Sequence, residues 1–214
     1  MPDFDPTPAA AADRQRELAA RVIRTWDGRP VRTVAGVDTA YRTGRARAAV
    51  VVLALPELVA KCEATAELGR VSAYRPGFLS FREGPAVLEA FGQLPVRPDL
   101  VLFDGHGIAH PRRCGLASHL GIVLDLPAIG CAKNLLVGRY RPPSLRKGSR
   151  SWIVDRGECI GAAVRTRSRT APVFVSIGHR IDLETAIGFV LDCARRFRIP
   201  EPLRQAHRLA AFPP

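Results

Sequence analysis

Two aspartates in this chain close apolar runs. Asp38 ends Thr33-Val34-Ala35-Gly36-Val37-Asp38, and Asp104 ends Leu100-Val101-Leu102-Phe103-Asp104. Such a run reads as a buried strand, so each carboxylate should stand at a strand exit and point into a cleft. A carboxylate held there without a partner is costly. A hard cation such as Mg²⁺, which prefers oxygen ligands, removes that cost. For either aspartate alone, a helix cap or a loop hydrogen bond is the plainer reading.

Glu83 lies in Phe78-Leu79-Ser80-Phe81-Arg82-Glu83-Gly84-Pro85. Helical spacing begins after Gly84, with Pro85 suited to a first turn. Glu83 would then do no more than complement the helix dipole. That role does not require the aromatic and glycine setting around it. His106 and His110 follow Asp104 in Asp104-Gly105-His106-Gly107-Ile108-Ala109-His110-Pro111-Arg112-Arg113. The glycines permit a tight turn and a close backbone approach to a ligand. The histidine spacing is not a zinc signature. Hydrogen bonding to substrate suits His110, and His106 stays open. Lys133 follows a short buried strand, where it could neutralise developing negative charge or stand as a solvated lysine.

The elements that must position these residues follow from periodicity. Asp13–Trp26 has helical spacing, with Leu18, Val22 and Ile23 on one side. Val31–Tyr41 and Ala46–Leu55 read as strands around a Thr43-Gly44 turn, and Leu58–Leu68 as a third. Leu100–Phe103 and Ala128–Ala132 are short buried strands. Gly115–Leu126 reads as a helix between them. Trp152–Val154 and Cys159–Arg165 form a hairpin, and Pro172–Ile177 is a strand. Leu183–Phe197 and Glu201–Leu209 are helices. Strands first, then strands alternating with helices, imply a mixed α/β sheet.

The chain has 214 residues, 32 Lys plus Arg against 20 Asp plus Glu, and a formal charge of +12. That excess favours a polyanionic partner, because each neutralised phosphate releases counterions. An arginine-rich composition alone would also raise the charge. The basic stretches Arg141–Arg150 and Arg165–Arg169 are the expected phosphate contacts. The five cysteines form no CxxC pair, which excludes a disulfide frame or zinc site as the organising principle. No apolar run approaches the roughly 20 residues that span a bilayer. Residues 1–12 lack a signal-peptide pattern. They read as a loose, disordered tail on a cytoplasmic protein, and residues 13–214 as one catalytic domain.

Several of these stretches together resemble the endonuclease V family. They are Val34–Asp38, Tyr74–Pro85 and Asp104–Arg112, continued by Gly115–Gly121, Gly130–Lys133, Ser176–His179 and Arg204–His207. The resemblance implies a ribonuclease H-like fold, a mixed β-sheet flanked by helices whose first strands are antiparallel. It implies cleavage of the second phosphodiester bond 3′ of deoxyinosine or inosine, with Mg²⁺ as cofactor and Mn²⁺ as a substitute. Asp38, Glu83 and Asp104 match the family's metal cluster, Lys133 its active-site lysine and His207 its C-terminal histidine. Gly77, Leu79, Ser80, Gly105, Gly107, His110 and Gly115 fall in the stretches that match its base pocket. Tyr74 matches an aromatic wedge, in Ala73-Tyr74-Arg75-Pro76 where the family carries a Pro-Tyr-Ile-Pro-like sequence. The implied partner is DNA containing deoxyinosine, or inosine-containing RNA, met by a monomer away from any membrane.

Three rivals remain at this stage. One is a related nuclease acting on RNA–DNA hybrids, Holliday junctions or inosine-containing RNA, and another a non-catalytic nucleic-acid-binding module. The third, a serine or cysteine hydrolase, would need a nucleophile motif such as G-x-S-x-G, which does not occur.

Overall fold

The run Leu100-Val101-Leu102-Phe103 is buried throughout, as a strand that is apolar on both faces must be. Its side chains divide with the strand's period of two. Leu100 and Leu102 enter one core, and Val101 and Phe103 enter the other. This strand, β4 (Leu100–Phe103), lies between β1 (Thr33–Arg42) and β5 (Ala128–Ala132), parallel to both. Beyond β1 the sheet continues antiparallel through β2 (Arg45–Ala54) and β3 (Val59–Leu68). Beyond β5 it continues antiparallel through β8 (Val173–His179), β7 (Glu158–Val164) and β6 (Arg150–Asp155). The order is β3-β2-β1-β4-β5-β8-β7-β6. This is the mixed ribonuclease H-like sheet that the resemblance implies. It is taken from a computed structural model that describes residue 4, residues 6–69 and residues 75–211.

Helices cover both faces. On one side, α2 (Leu79–Gly92) and α3 (Leu116–Leu124) bury Ala86, Val87, Ala90, Leu116, Ala117 and Leu120 against Val37, Val50, Val52 and Phe103. On the other, α4 (Leu183–Cys193) and α5 (Glu201–Ala210) bury Ile187, Val190, Leu203 and Ala206 against Val34, Val51, Leu53 and Leu102. Each fully buried Leu, Ile or Phe here contributes roughly 1.5–3 kcal/mol. One close approach sets where α5 lies. A Cβ added at Gly36 would lie 2.1 Å from the carbonyl of Pro202. Only glycine on β1 lets α5 lie flush against the sheet.

Three element boundaries differ from the sequence reading. The first helix, α1, spans Pro8–Ala19 rather than Asp13–Trp26. Thr7 Oγ1 accepts from the Ala10 amide at 3.3 Å, proline opens the helix, and the alanine run propagates it. The expected loose tail therefore gives way to helix at Pro8. Phe4 also packs, its ring stacked on that of His119 with centroids 5.4 Å apart. The remainder of that tail, residues 1–3 and 5, lies outside the described residues. Second, α2 begins at Leu79, so both Glu83 and Pro85 sit inside the helix. Burial of Ser80, Phe81, Gly84 and Ala86 overrides the breaker pair Gly84-Pro85. Third, α4 ends at Cys193, short of Phe197. Cys62, Cys114, Cys131, Cys159 and Cys193 are free thiols, and among the described residues no helix is long and apolar enough to cross a membrane.

Candidate active site

Because β1 and β4 pair in parallel with Val37 opposite Phe103, Asp104 leaves β4 beside Asp38. Asp38 lies within β1 opposite Ala49 of β2, and not at the strand exit that the sequence suggests, because β1 stays paired with β2 as far as Arg42. The Asp104 amide closes the junction by donating to the Val37 carbonyl at 3.1 Å. Burial, and then the charge of Asp104, push the Asp38 carboxyl above the usual carboxylate range. Lys133 follows β5 directly, and its ammonium donates to Asp104 Oδ2. Burial works against that ammonium, but the bond to Asp104 and the aspartate charges hold its pKa above the ordinary lysine value.

Glu83 reaches the same place from α2. Its carboxyl is buried, and burial raises its pKa to about 8, with the charges of Asp38 and Asp104 adding to the rise. The Tyr41 hydroxyl donates to Glu83 Oε1 at 2.9 Å, while the Arg82 guanidinium lies 3.9 Å from the centre of the Tyr41 ring. From the opposite side α5 brings His207, whose Nδ1 lies 2.6 Å from Asp38 Oδ2. A carboxylate oxygen accepts, so Nδ1 is the donor in this contact. The three acids, Lys133 and His207 thus form one electrostatic unit drawn from five elements.

The donor set suits a hard cation. Three carboxyl groups crowd into one site, and two of them are pushed towards their neutral forms by burial and by their neighbours. Among the described residues, however, no three acid, histidine or cysteine side chains converge closely enough to hold an ion as they stand. The pairings account for this, since Asp38 is turned to His207, Asp104 to Lys133 and Glu83 to Tyr41. Oxygen ligands and mutual repulsion suit a hard divalent cation.

Beside the acids opens a cavity of about 290 Å³, lined by Asp104 and Lys133 as well as by Gly77, Leu79, Ser80, Gly105, His110 and Gly115. Its volume is at the lower edge of the roughly 300–1,000 Å³ typical of small-ligand clefts. Six of the sequence-derived binding residues therefore meet in one wall system. Gly107 does not line it. A Cβ there would lie 1.9 Å from the Ile177 carbonyl, and its amide donates to Ser176 Oγ at 2.9 Å, so Gly107 seats the loop on β8. Tyr74 lies outside the described residues. His106 does line the cavity, and its Nε2 donates to the Asn134 carbonyl at 3.0 Å. Burial lowers the pKa values of His106 and His110 to about 4, so both rings are neutral at physiological pH.

The basic stretches separate into two kinds of residue. Arg165, expected among the phosphate contacts, is buried and donates to the carbonyls of Ser144, Pro143 and Thr170. It braces one loop against the other, since a buried guanidinium must fill its donor positions. Lys147 likewise donates to the Ala194 carbonyl at 2.7 Å, and Arg150 pairs with Glu184 at 2.9 Å. Arg141, Arg146, Arg167 and Arg169 stand exposed. Residues that the sequence did not point to also enter the site. Tyr41 and Gln15 are the clearest, and no local motif signals contacts made across 42 and 62 residues.

Comparison with known proteins agrees with this geometry. The family model described as Endonuclease V matches residues 16–208. Endonuclease V of Roseiflexus sp. (strain RS-1) is 52% identical over 212 residues, covering 97% of this chain and 96% of that protein. The crystal structure of Endonuclease V from Streptomyces avermitilis superposes with a TM-score of 0.91 at 44% identity, covering 97% of this chain and 92% of that one. Endonuclease V of Ciona intestinalis, solved in complex with a 23mer DNA containing an inosine followed by a ribo-adenosine, superposes with a TM-score of 0.83 at 31% identity, covering 94% of each chain.

Proposed function

The chain belongs to the endonuclease V family and is a nuclease, and from that premise we propose that it cuts DNA beside a deaminated base, hypoxanthine above all, as a step in repair. The single observation that carries this reading is the placement of Asp104 and Lys133 on the wall of a base-sized cavity, with Asp38 beside Asp104 on the neighbouring parallel strand. Asp38, Glu83 and Asp104 would hold Mg²⁺, or Mn²⁺ in its place. When bound, the ion supplies an activated water and shields the charge of the phosphorane.

The chain's own residues account for the remaining requirements. A base can be read in the cavity only after leaving its stack, at a cost of a few kcal/mol that is least for a mispaired base. Gly77, Gly105 and Gly115 line the cavity beside apolar side chains such as Leu79 and Leu116, so the backbone can come close to a base edge. His110 is neutral, and both its ring nitrogens are engaged within the protein, Nε2 with the Gly77 carbonyl and Nδ1 with the Arg112 amide, so it shapes the wall in place of the substrate contact expected from the sequence. Lys133, paired with Asp104 at the cavity mouth, is placed to meet negative charge as it develops on the phosphate. His207 is exposed on the far side of Asp38, in position to accept or deliver a proton at the outgoing or incoming oxygen. The bond cut is the second one 3′ of the lesion, as in the family resemblance.

The reading is tested with end-labelled DNA and RNA strands carrying one hypoxanthine, incubated with Mg²⁺, with Mn²⁺ or with chelator. Cleavage in both metals and none in chelator is the expected result. Metal-independent cutting would remove the assigned role of the three acids.

A further inference from the structure

The backbone carbonyl of Gly77, on the cavity wall, accepts three hydrogen bonds. They come from Gln15 Nε2 at 3.0 Å, His110 Nε2 at 3.0 Å and an Arg112 guanidinium nitrogen at 2.8 Å. A carbonyl oxygen has two lone pairs, so three donors over-determine where it sits. The donors are themselves interlocked. His110 Nδ1 accepts from the Arg112 amide at 3.2 Å, and Gln15 Oε1 accepts from Arg112 Nε at 2.6 Å. Gln15 Nε2 also reaches the Cys114 carbonyl at 3.0 Å, one residue before Gly115 on the cavity wall.

One amide, on α1, therefore spans from the Gly77 wall to the Gly115 wall. Its side chain is 1% exposed, so water cannot substitute for a lost bond. Gly77 has φ +79°, and a Cβ there would lie 3.0 Å from the Arg112 guanidinium, so its wall cannot relax by changing residue type. The carbonyl is also fully engaged. Gly77 thus contributes position to the cavity, and base reading falls to the other backbone groups.

We propose that Gln15 is a specificity-determining positioning residue, whose amide sets the spacing between the Gly77 and Gly115 walls of the base pocket. This rests on the reading of the cavity as the site of the deaminated base. Hypoxanthine and adenine differ by an exchange of donor and acceptor at ring positions 1 and 6. Walls made of backbone groups can register that exchange only if they are held to within about 0.5 Å. Gln15 lines the cavity, but its amide is committed to Gly77, Cys114 and Arg112, so it acts through the wall spacing.

The test uses the full chain with Gln15→Met, which keeps length and removes the donor, and with Gln15→Glu, which keeps the acceptor for Arg112 and removes donation. Cleavage in Mg²⁺ is measured on strands carrying hypoxanthine or adenine at one position. Affinity is measured for the matching abasic strand, and thermal unfolding reports the fold. The expected result is two folded variants whose kcat/KM on hypoxanthine falls by about 10–100-fold, the scale of a wall misplaced by about 1 Å. The hypoxanthine-to-adenine ratio narrows, while abasic affinity stays at the wild-type value. A folded variant that keeps the wild-type ratio overturns the proposal, as does an equal loss on the abasic strand or the unfolding of both variants. Wild-type protein that shows no preference for hypoxanthine would overturn the base-pocket reading itself, a separate outcome.

Discussion

His207 Nδ1 lies 2.6 Å from Asp38 Oδ2 across 169 residues of sequence, and the contact exists because Gly36 admits α5 to the face of β1. Gly36→Val should push α5 away, costing about 1–3 kcal/mol through overpacking and carrying His207 off Asp38. His207→Ala removes the imidazole and leaves the helix in place. It should unfold at the wild-type temperature and lose about 10²-fold or more in kcat. Thermal unfolding and single-turnover cleavage of both variants check this. Wild-type cleavage by His207→Ala would show the contact to be idle.

Metal-free stability should peak near pH ~6.5. The folded pKa of Glu83, about 8, exceeds the ordinary glutamate value of 4.5, so the folded chain binds the extra proton between these values. Stability from this group is full below the unfolded pKa and is lost as pH rises through the folded one. His119, like His106 and His110, is held at about 4 by burial, against an ordinary 6.5, and behaves oppositely, so three imidazoles outweigh one carboxyl below pH ~6.5. Their contribution is full above about 6.5 and is lost as pH falls towards about 4. Chemical denaturation with chelator present, from pH 5 to 8.5, should show a decline on the alkaline side. Glu83→Gln should remove that decline. A variant that keeps it would place the titrating group elsewhere.

The exposed arginines should carry the salt dependence of DNA binding. Replacing Arg146, Arg167 and Arg169 by Ser should weaken binding to every sequence and reduce the log–log salt slope by about 1 for each phosphate contact removed. Arg165→Ala acts differently, because it leaves the carbonyls of Ser144, Pro143 and Thr170 without their donor. It should destabilise by roughly 1–3 kcal/mol per group left unsatisfied. Fluorescence anisotropy across a salt series and thermal unfolding separate the two effects. A triple variant with an unchanged slope would move the footprint to another face.

Asp38 and Asp104 were legible in the sequence because each closes an apolar run; the strand exit follows for Asp104, whereas β1 runs on past Asp38 to Arg42. That they stand side by side was not legible, since the parallel pairing of β1 with β4 is a tertiary fact. Glu83 was visible as a residue but misplaced by one element, because the Gly84-Pro85 pair reads as a helix start. Burial of the Leu79–Glu83 turn against the core outweighs that local preference. Arg165 looked like part of a basic surface, and charge alone does not show that a guanidinium is spent on three carbonyls. Gln15 carried no signal, as a glutamine on an amphipathic helix is ordinary until its partners are known.

The most direct test of the central claim is to map the product ends from a strand carrying one hypoxanthine and from its adenine counterpart, cut by wild-type and Asp104→Ala protein in Mg²⁺. The account predicts one wild-type product, from the second phosphodiester bond 3′ of hypoxanthine, and no cut at adenine. Asp104→Ala, folded as wild type, should lose several orders of magnitude in rate, as expected when metal positioning worth several kcal/mol is removed. Equal cutting of both strands, or an Asp104→Ala rate near that of wild type, would contradict it.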